Sequence, residues 1–194
     1  ALPAKEMGRH AAEILQRSVR QRLVSDVPLG VFLSGGIDSS LVTALMARSL
    51  PQGNVKTFSI GFHDPSFDET REAAQVARLY RTEHHHHYLR ESDLLDALHR
   101  VIPVCDEPFA DASIIPTYLL SRFTRLHVTV ALGGDGGDEL FAGYQTFQAL
   151  KAWQHLRRAP ELFARLLRRI SERLPTSFGY FSLTDSFCDM PPLF

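Results

Sequence analysis

No apolar run in this 194-residue chain is long enough to cross a bilayer, so a membrane span is not expected. The opening stretch, ALPAKEMGRHAAEIL, lacks the continuous apolar core of a secretory signal. A soluble, cytoplasmic protein is the expectation. Cysteine is scarce. Cys105 and Cys188 stand far apart, and neither falls in a CxxC or Cys/His metal spacing, so they read as two free thiols in a reducing compartment. An excess of charge is missing too. The chain carries 21 basic and 22 acidic residues, for a formal net charge of −1, which removes the global electrostatic case for nucleic acid or an acidic membrane surface. What is present is a 44% hydrophobic composition, enough to bury one core, and the length favours one domain.

The apolar pattern alternates between two periods. Met7, Ala11, Leu15, Val19 and Leu23 recur every four residues, with Ile14 widening the stripe, so residues 4–24 read as an amphipathic helix. Pro28 restrains Val27 toward extended geometry and ends it. LGVFLS then reads as a buried strand, followed by a helix over 38–49. The unit repeats as VKTFSIGF (55–62), a helix from Asp68 to Tyr80, and the short strand HHHHYL. Ser92 is a candidate N-cap for a helix bearing Leu94, Leu95, Leu98, Val101 and Ile102. IIPTYLLSRF reads as a helix with Pro116 in its first turn, HVTVAL (127–132) as a strand, and LFAGYQTFQALKAW as a further helix. Strands alternating with helices at about 30 residues per unit predict an α/β fold, a parallel sheet with helices on both faces. Such sheets bind ligands beyond the carboxyl ends of their strands.

Two glycine–acid junctions fall at that position. In VFLSGGIDSS (31–40), several familiar motifs are missing: no lysine for a phosphate loop, no G-x-S-x-G elbow, no GxGxxG. Ser34, Gly35 and Gly36 offer backbone N–H groups without bulk, and Ser39 and Ser40 add hydroxyls at a helix N-terminus, an end that favours anions. Asp38 would repel a bare phosphate but suits Mg²⁺ bridging carboxylate and phosphate oxygens. A glycine turn with Asp38 as an ordinary helix cap is the plainer alternative. The second junction, LGGDGGDELFAGY, supplies Asp135, Asp138 and Glu139 on a glycine-rich backbone. Two such loops suit one magnesium–pyrophosphate held between them.

SGGIDSS resembles the pyrophosphate-loop signature of the ATP pyrophosphatases. DVPLGVFLSGGIDSSLVTAL, TFSIGF, DEPFADASIIPTYLLSR and LGGDGGDELFAGY, in that order, resemble the synthetase domain of the asparagine synthetase family over most of residues 10–150. The resemblance implies an adenine-nucleotide α-hydrolase-like fold and a ligase that adenylates a carboxylic acid with ATP, releases pyrophosphate, and lets ammonia displace AMP. It implies a pyrophosphate loop of Ser34, Gly35, Gly36, Asp38, Ser39 and Ser40, magnesium ligands Asp38 and Asp138, and an adenosine pocket lined by Leu33, Ile60, Gly133 and Gly134. Asp135, where the family often has glutamate, would lie near the acyl-adenylate. Glu107 and Asp111 would face the acid substrate. Aspartate or a related acid is the expected substrate, ATP and Mg²⁺ the cofactors, and a glutaminase domain the partner in a full-length parent. A homodimer stays open as the assembly.

The chain departs from the family in three places. It starts at Ala1 without the glutaminase domain. Only Lys151 follows the second junction, too near it to be the family's pyrophosphate-neutralising lysine. Ala142 replaces a glycine of the family's FGGY. A synthetase core over 1–150 with a truncated helical extension over 151–194 is therefore expected, able to bind nucleotide and poor in turnover. The alternatives are another pyrophosphate-loop ATPase, acting on tRNA, a nucleotide or a sulfur carrier, and a non-catalytic nucleotide-binding module. Two features carry less. Four histidines at 84–87 on a strand face alternate sides and do not converge on a metal. The arginines at 157, 158, 165, 168, 169 and 173 read as the solvated face of a packed helix.

Overall fold

Pro28 stands between the first helix, α1 (Ala4–Arg22), and the first strand, β1 (Leu29–Phe32), in a computed structural model that describes residues 3–107, 111, 113–144, 146–147 and 150–151. There follow α2 (Ile37–Ser49), β2 (Lys56–Phe62), α3 (Thr70–Tyr80), β3 (Glu83–Leu89) and α4 (Glu91–Val101). A single 3-10 turn (Ile102–Val104), α5 (Ile114–Thr124), β4 (Val130–Leu132) and α6 (Gly137–Phe141) complete the elements. The alternation read from the sequence is the order observed. All pairings are parallel, in the order β3-β2-β1-β4. The chain divides after Gly137 into two compact units, and the sheet belongs to the first.

Register decides what each face buries. Val31 pairs with Thr57 and Leu132, and Thr57 with His84, so these residues share one face. There Val31 is fully buried among Val19 of α1 and Leu45 and Met46 of α2. On the opposite face Leu89 joins Ala97 of α4 and Leu119 of α5, with Ile60 and Phe62 packed against them. Phe58, also fully buried, meets Phe123 of α5 edge-on at 6.2 Å between ring centres. Both faces are therefore covered, as a parallel sheet requires.

Four local expectations need correction. The apolar stripe of α1 packs only in its second half: Met7 and Ile14 remain 50% and 45% exposed. At about 28 Å, the 19-residue α1 outreaches the 13-residue α2, which spans about 20 Å. Helix α4 begins one residue before Ser92. Arg90 is its N-cap, and the Arg90 N–H donates to Asp93 Oδ2 at 2.9 Å. β4 is shorter than 127–132, because the His127 and Val128 N–H groups both donate to Thr124 O and close α5 instead. The helix expected through 140–153 is interrupted, since α6 ends at Phe141. The arginine-rich stretch after 151 and Cys188 lie outside the described residues. Among those described, Cys105 is a free, half-buried thiol, and no helix is long and apolar enough to cross a membrane.

The histidine run is a strand whose side chains alternate. His84 and His86 lie on the α3 side, with ring centres 5.9 Å apart, while His85 stacks on His127 at 4.1 Å and His87 on Phe123 at 5.4 Å. His84 Nδ1 meets Thr57 Oγ1 at 2.9 Å, and its Nε2 is buried without a partner. Burial first, and then the neighbouring His86 and His85, hold its pKa below the ordinary histidine value. The native state thus keeps His84 neutral at a pH where the unfolded chain, at about 6.5, takes up a proton. Stability from this group is intact above that pH and is lost as pH falls through it. Urea midpoints should drop more between pH 7.5 and 5.5 for the wild type than for His84→Gln. Parallel curves would exclude His84 as the source.

Candidate functional site

The first junction begins where β1 ends. Leu33 is buried against Ala73 and Ala77 of α3, its N–H donates to Phe58 O at 2.8 Å, and its carbonyl accepts from Ser59 Oγ at 2.5 Å. The chain then turns at Gly35, whose φ of +93° L side chains rarely adopt. A Cβ there would stand 2.5 Å from Glu72 Cβ and 2.6 Å from Ala73 N, so the turn is seated directly on the first turn of α3. Ser34 and Ser39 tie the loop to the helix it precedes. The Ser34 N–H lies 3.3 Å and its Oγ 3.0 Å from Ser39 Oγ, which donates to Gly36 O at 3.2 Å, and the Gly36 N–H donates to Ser34 Oγ at 3.2 Å.

What this knot leaves open is informative. The N-cap of α2 is Gly36, with no side-chain cap bond, so the first N–H groups of a 13-residue helix face outward without a capping oxygen. Asp38 therefore lies in the first turn of α2 and is not its N-cap. Among the described residues Asp38 makes no ion pair. Ser40 Oγ is buried with no hydrogen-bond partner. A buried orphan hydroxyl is costly unless something meets it.

β4 lies beside β1, so its carboxyl end delivers the second junction to the same place. A Cβ on Gly134 would stand 2.8 Å from Ser39 N and 3.0 Å from Asp38 Cβ, and one on Gly137 would stand 2.6 Å from both Asp38 carboxylate oxygens. Only glycine backbone permits this approach. Asp135 is exposed, with its carboxyl carbon 3.4 Å from where a Gly133 Cβ would be, and Gly136 turns with φ +87°. The structure thus gathers Ser34, Gly35, Gly36, Asp38, Ser39, Ser40, Gly133, Gly134 and Asp135 at one end of the sheet. It does not bring the Leu33 and Ile60 side chains together. Leu33 packs toward α3, and Ile60 joins the cluster under α4 and α5.

Asp138 and Glu139 belong to the second unit and are described within it. The Gly143 N–H donates to Asp138 O at 3.0 Å across Ala142, which takes φ +57°. This closure ends α6 in a left-handed conformation that glycine adopts more readily than alanine. Tyr144 OH donates to Glu139 Oε1 at 2.6 Å and holds that carboxyl below its usual range. Asp111 is occupied locally: it accepts from the Ser113 N–H at 2.8 Å, which lowers its pKa and orders the start of α5. Glu107 is exposed.

The sequence reading missed the wall behind the loop. Glu72, in the first turn of α3, lies against Gly35, and Glu69 at the N-cap is raised above its usual pKa by burial and then by Glu72. The available signal was Gly61, since a glycine inside a strand marks a close approach. An uncapped helix start, a carboxylate without a cation and a glycine floor together fit a phosphate group with a bound cation.

The family described as asparagine synthase matches residues 10–185. The putative asparagine synthetase [glutamine-hydrolyzing] 2 of Methanocaldococcus jannaschii is 39% identical over 171 residues, covering 88% of this chain and 32% of that protein. Asparagine synthetase [glutamine-hydrolyzing] 1 of Bacillus subtilis is 33% identical over 171 residues, covering 88% of this chain and 27% of that protein. The chain spans about a third or less of the length of these relatives. Among solved structures, a glutamine-dependent NAD+ synthetase from Acinetobacter baumannii in complex with ADP superposes with a TM-score of 0.50 at 22% identity, over 67% of this chain and 26% of that one. That likeness is one of fold alone.

Proposed function

This chain belongs to the asparagine synthase family, and from that premise we propose that it is the ATP-using part of an amide-forming ligase. It would adenylate a carboxylic acid, aspartate or a close relative, release pyrophosphate, and pass the activated acyl group to ammonia. The observation that carries this reading is the approach of Gly134 to Ser39 and Asp38. It supports the reading because two glycine loops around an uncapped helix start suit an anion such as a leaving pyrophosphate.

Each residue has a task on this reading. The N–H groups of Ile37 and Asp38 would receive phosphate oxygens, with Ser39 and Ser40 in the same helix start completing the loop. The Ser34–Ser39 pair holds the loop in shape and needs no rearrangement as charge develops. Asp38 would hold Mg²⁺, which when bound neutralises the phosphate oxygens. The Gly133 and Gly134 backbone lines the adenosine side, without the Leu33 and Ile60 side chains that the family resemblance placed there, since these pack on opposite faces of the sheet. The roles that the family resemblance gives Asp135 and Asp138 stand as part of this proposal, as does a core over residues 1–150 with 151–194 as a helical extension of the same domain. A glutaminase domain as the ammonia source belongs to the proposal too, as the relatives' glutamine-hydrolysing names suggest.

The test is exchange of labelled pyrophosphate into ATP with a panel of carboxylic acids that includes aspartate. Magnesium-dependent exchange with one acid supports an adenylating ligase and identifies the acid. ATP binding without exchange for any acid would reduce the chain to a nucleotide-binding module.

A further inference from the structure

We propose that Tyr88, acting through Thr70, is a positioning residue for the glycine loop, an inference that rests on the functional reading above. The loop's shape is set by what it sits on. Because Gly35 is in contact range of Glu72 and Ala73, any shift in the start of α3 is passed to Ser34–Gly36. What holds the start of α3 is not an ordinary cap. Glu69 at the N-cap makes no side-chain cap bond. Asp68 does the work from one residue earlier, its Oδ1 accepting from the Thr70 N–H at 3.3 Å and its Oδ2 from Thr70 Oγ1 at 3.0 Å.

Thr70 is only 8% exposed, and its hydroxyl lies 3.0 Å from Tyr88 OH on β3. The proton directions follow from chemistry. An ionised Asp68 can only accept, so the single Thr70 hydroxyl hydrogen goes to it, and Tyr88 must donate to Thr70. Gly61 of β2 makes the meeting possible, since a Cβ there would stand 2.6 Å from the Tyr88 ring and 2.7 Å from Thr70 Cγ2. The Tyr88 ring is braced by His63, stacked at 6.3 Å, and by His86, edge-on at 5.7 Å. One continuous link therefore runs from the edge strand through the first turn of α3 to the loop. Tyr88 touches neither the loop nor a ligand on this account. It fixes the surface the loop rests on.

The experiment compares wild type, Tyr88→Phe, Thr70→Val, Thr70→Ser and Thr82→Val. Thr82 shares a 2.9 Å hydroxyl contact with Thr57 at the other end of the same two strands, so its loss reports a missing hydrogen bond away from the loop. Three quantities are read: the Kd for Mg-ATP by calorimetry, amide exchange over residues 33–41 without ligand, and Tm. Tyr88→Phe and Thr70→Val should each weaken Mg-ATP by about three- to tenfold and speed exchange over 33–41. Thr70→Ser should restore both, and Thr82→Val should lower Tm while leaving both unchanged. Wild-type affinity and exchange in Tyr88→Phe would overturn the link, and so would an equal loss in Thr82→Val. If the wild type takes up no Mg-ATP, the functional reading falls, and the exchange data alone decide the link.

Discussion

Asp38→Asn should bind Mg-ATP ten- to a hundredfold more weakly than the wild type while keeping a native circular dichroism spectrum. The size follows from what is removed. A hydrogen bond or contact to a charged group is worth about 1.5–3 kcal/mol, and each 1.4 kcal/mol or so is a factor of ten. The fold should be indifferent, because Asp38 makes no ion pair among the described residues and is not the cap of α2. The sign of the effect identifies the cause. With magnesium chelated, the carboxylate faces phosphate oxygens with nothing between them, so Asp38→Asn should then bind ATP as well as the wild type or better. A variant weakened equally with and without magnesium would remove the metal-ligand role and leave Asp38 as a local structural residue.

Gly35→Val should be the most damaging single change in the first junction, and Gly36→Ala one of the mildest. At Gly35 two costs add. A left-handed φ of +93° costs an L residue about 1–2 kcal/mol, and the new side chain meets Glu72 Cβ and the α3 backbone at Ala73, an overpacking cost of about 1–3 kcal/mol. Together they come to about 2–5 kcal/mol, a fall in Tm of roughly 4–20 °C for a chain of this size. Nucleotide binding should be lost with the loop's shape. At Gly36 φ is −63°, and a Cβ would find only Ser34 Oγ at 3.3 Å. Gly36→Ala should change stability by less than about 0.5 kcal/mol. Thermal melts of the two variants check this. Equal melting temperatures would mean that Gly35 is not pressed against α3.

The contrast between these neighbouring glycines shows what a sequence reader can and cannot see. Periodicity carried the order of strands and helices, because apolar residues at every second or every fourth position report directly on burial. The two glycine–acid junctions were legible because each follows a strand and precedes a helix. Their adjacency was expected from shared chemistry rather than from spacing, and β4 pairing with β1 across an interval of about a hundred residues supplies it. Parity was illegible. Leu33 and Ile60 both look like pocket-lining residues, and only the register of β1 against β2 sends them to opposite faces. The turn at Ala142 hid in a helical pattern, because φ +57° at alanine leaves no compositional mark. Thr70 and Tyr88 meet across 18 residues through a glycine, and nothing in their spacing announces it.

The most direct test of the central claim, that the paired glycine loops form a magnesium–nucleotide site, is calorimetric titration of ATP into the wild-type chain with magnesium present and with it chelated. The account predicts one-to-one binding that strengthens markedly with magnesium. A chain with native circular dichroism that takes up no ATP under either condition would contradict it.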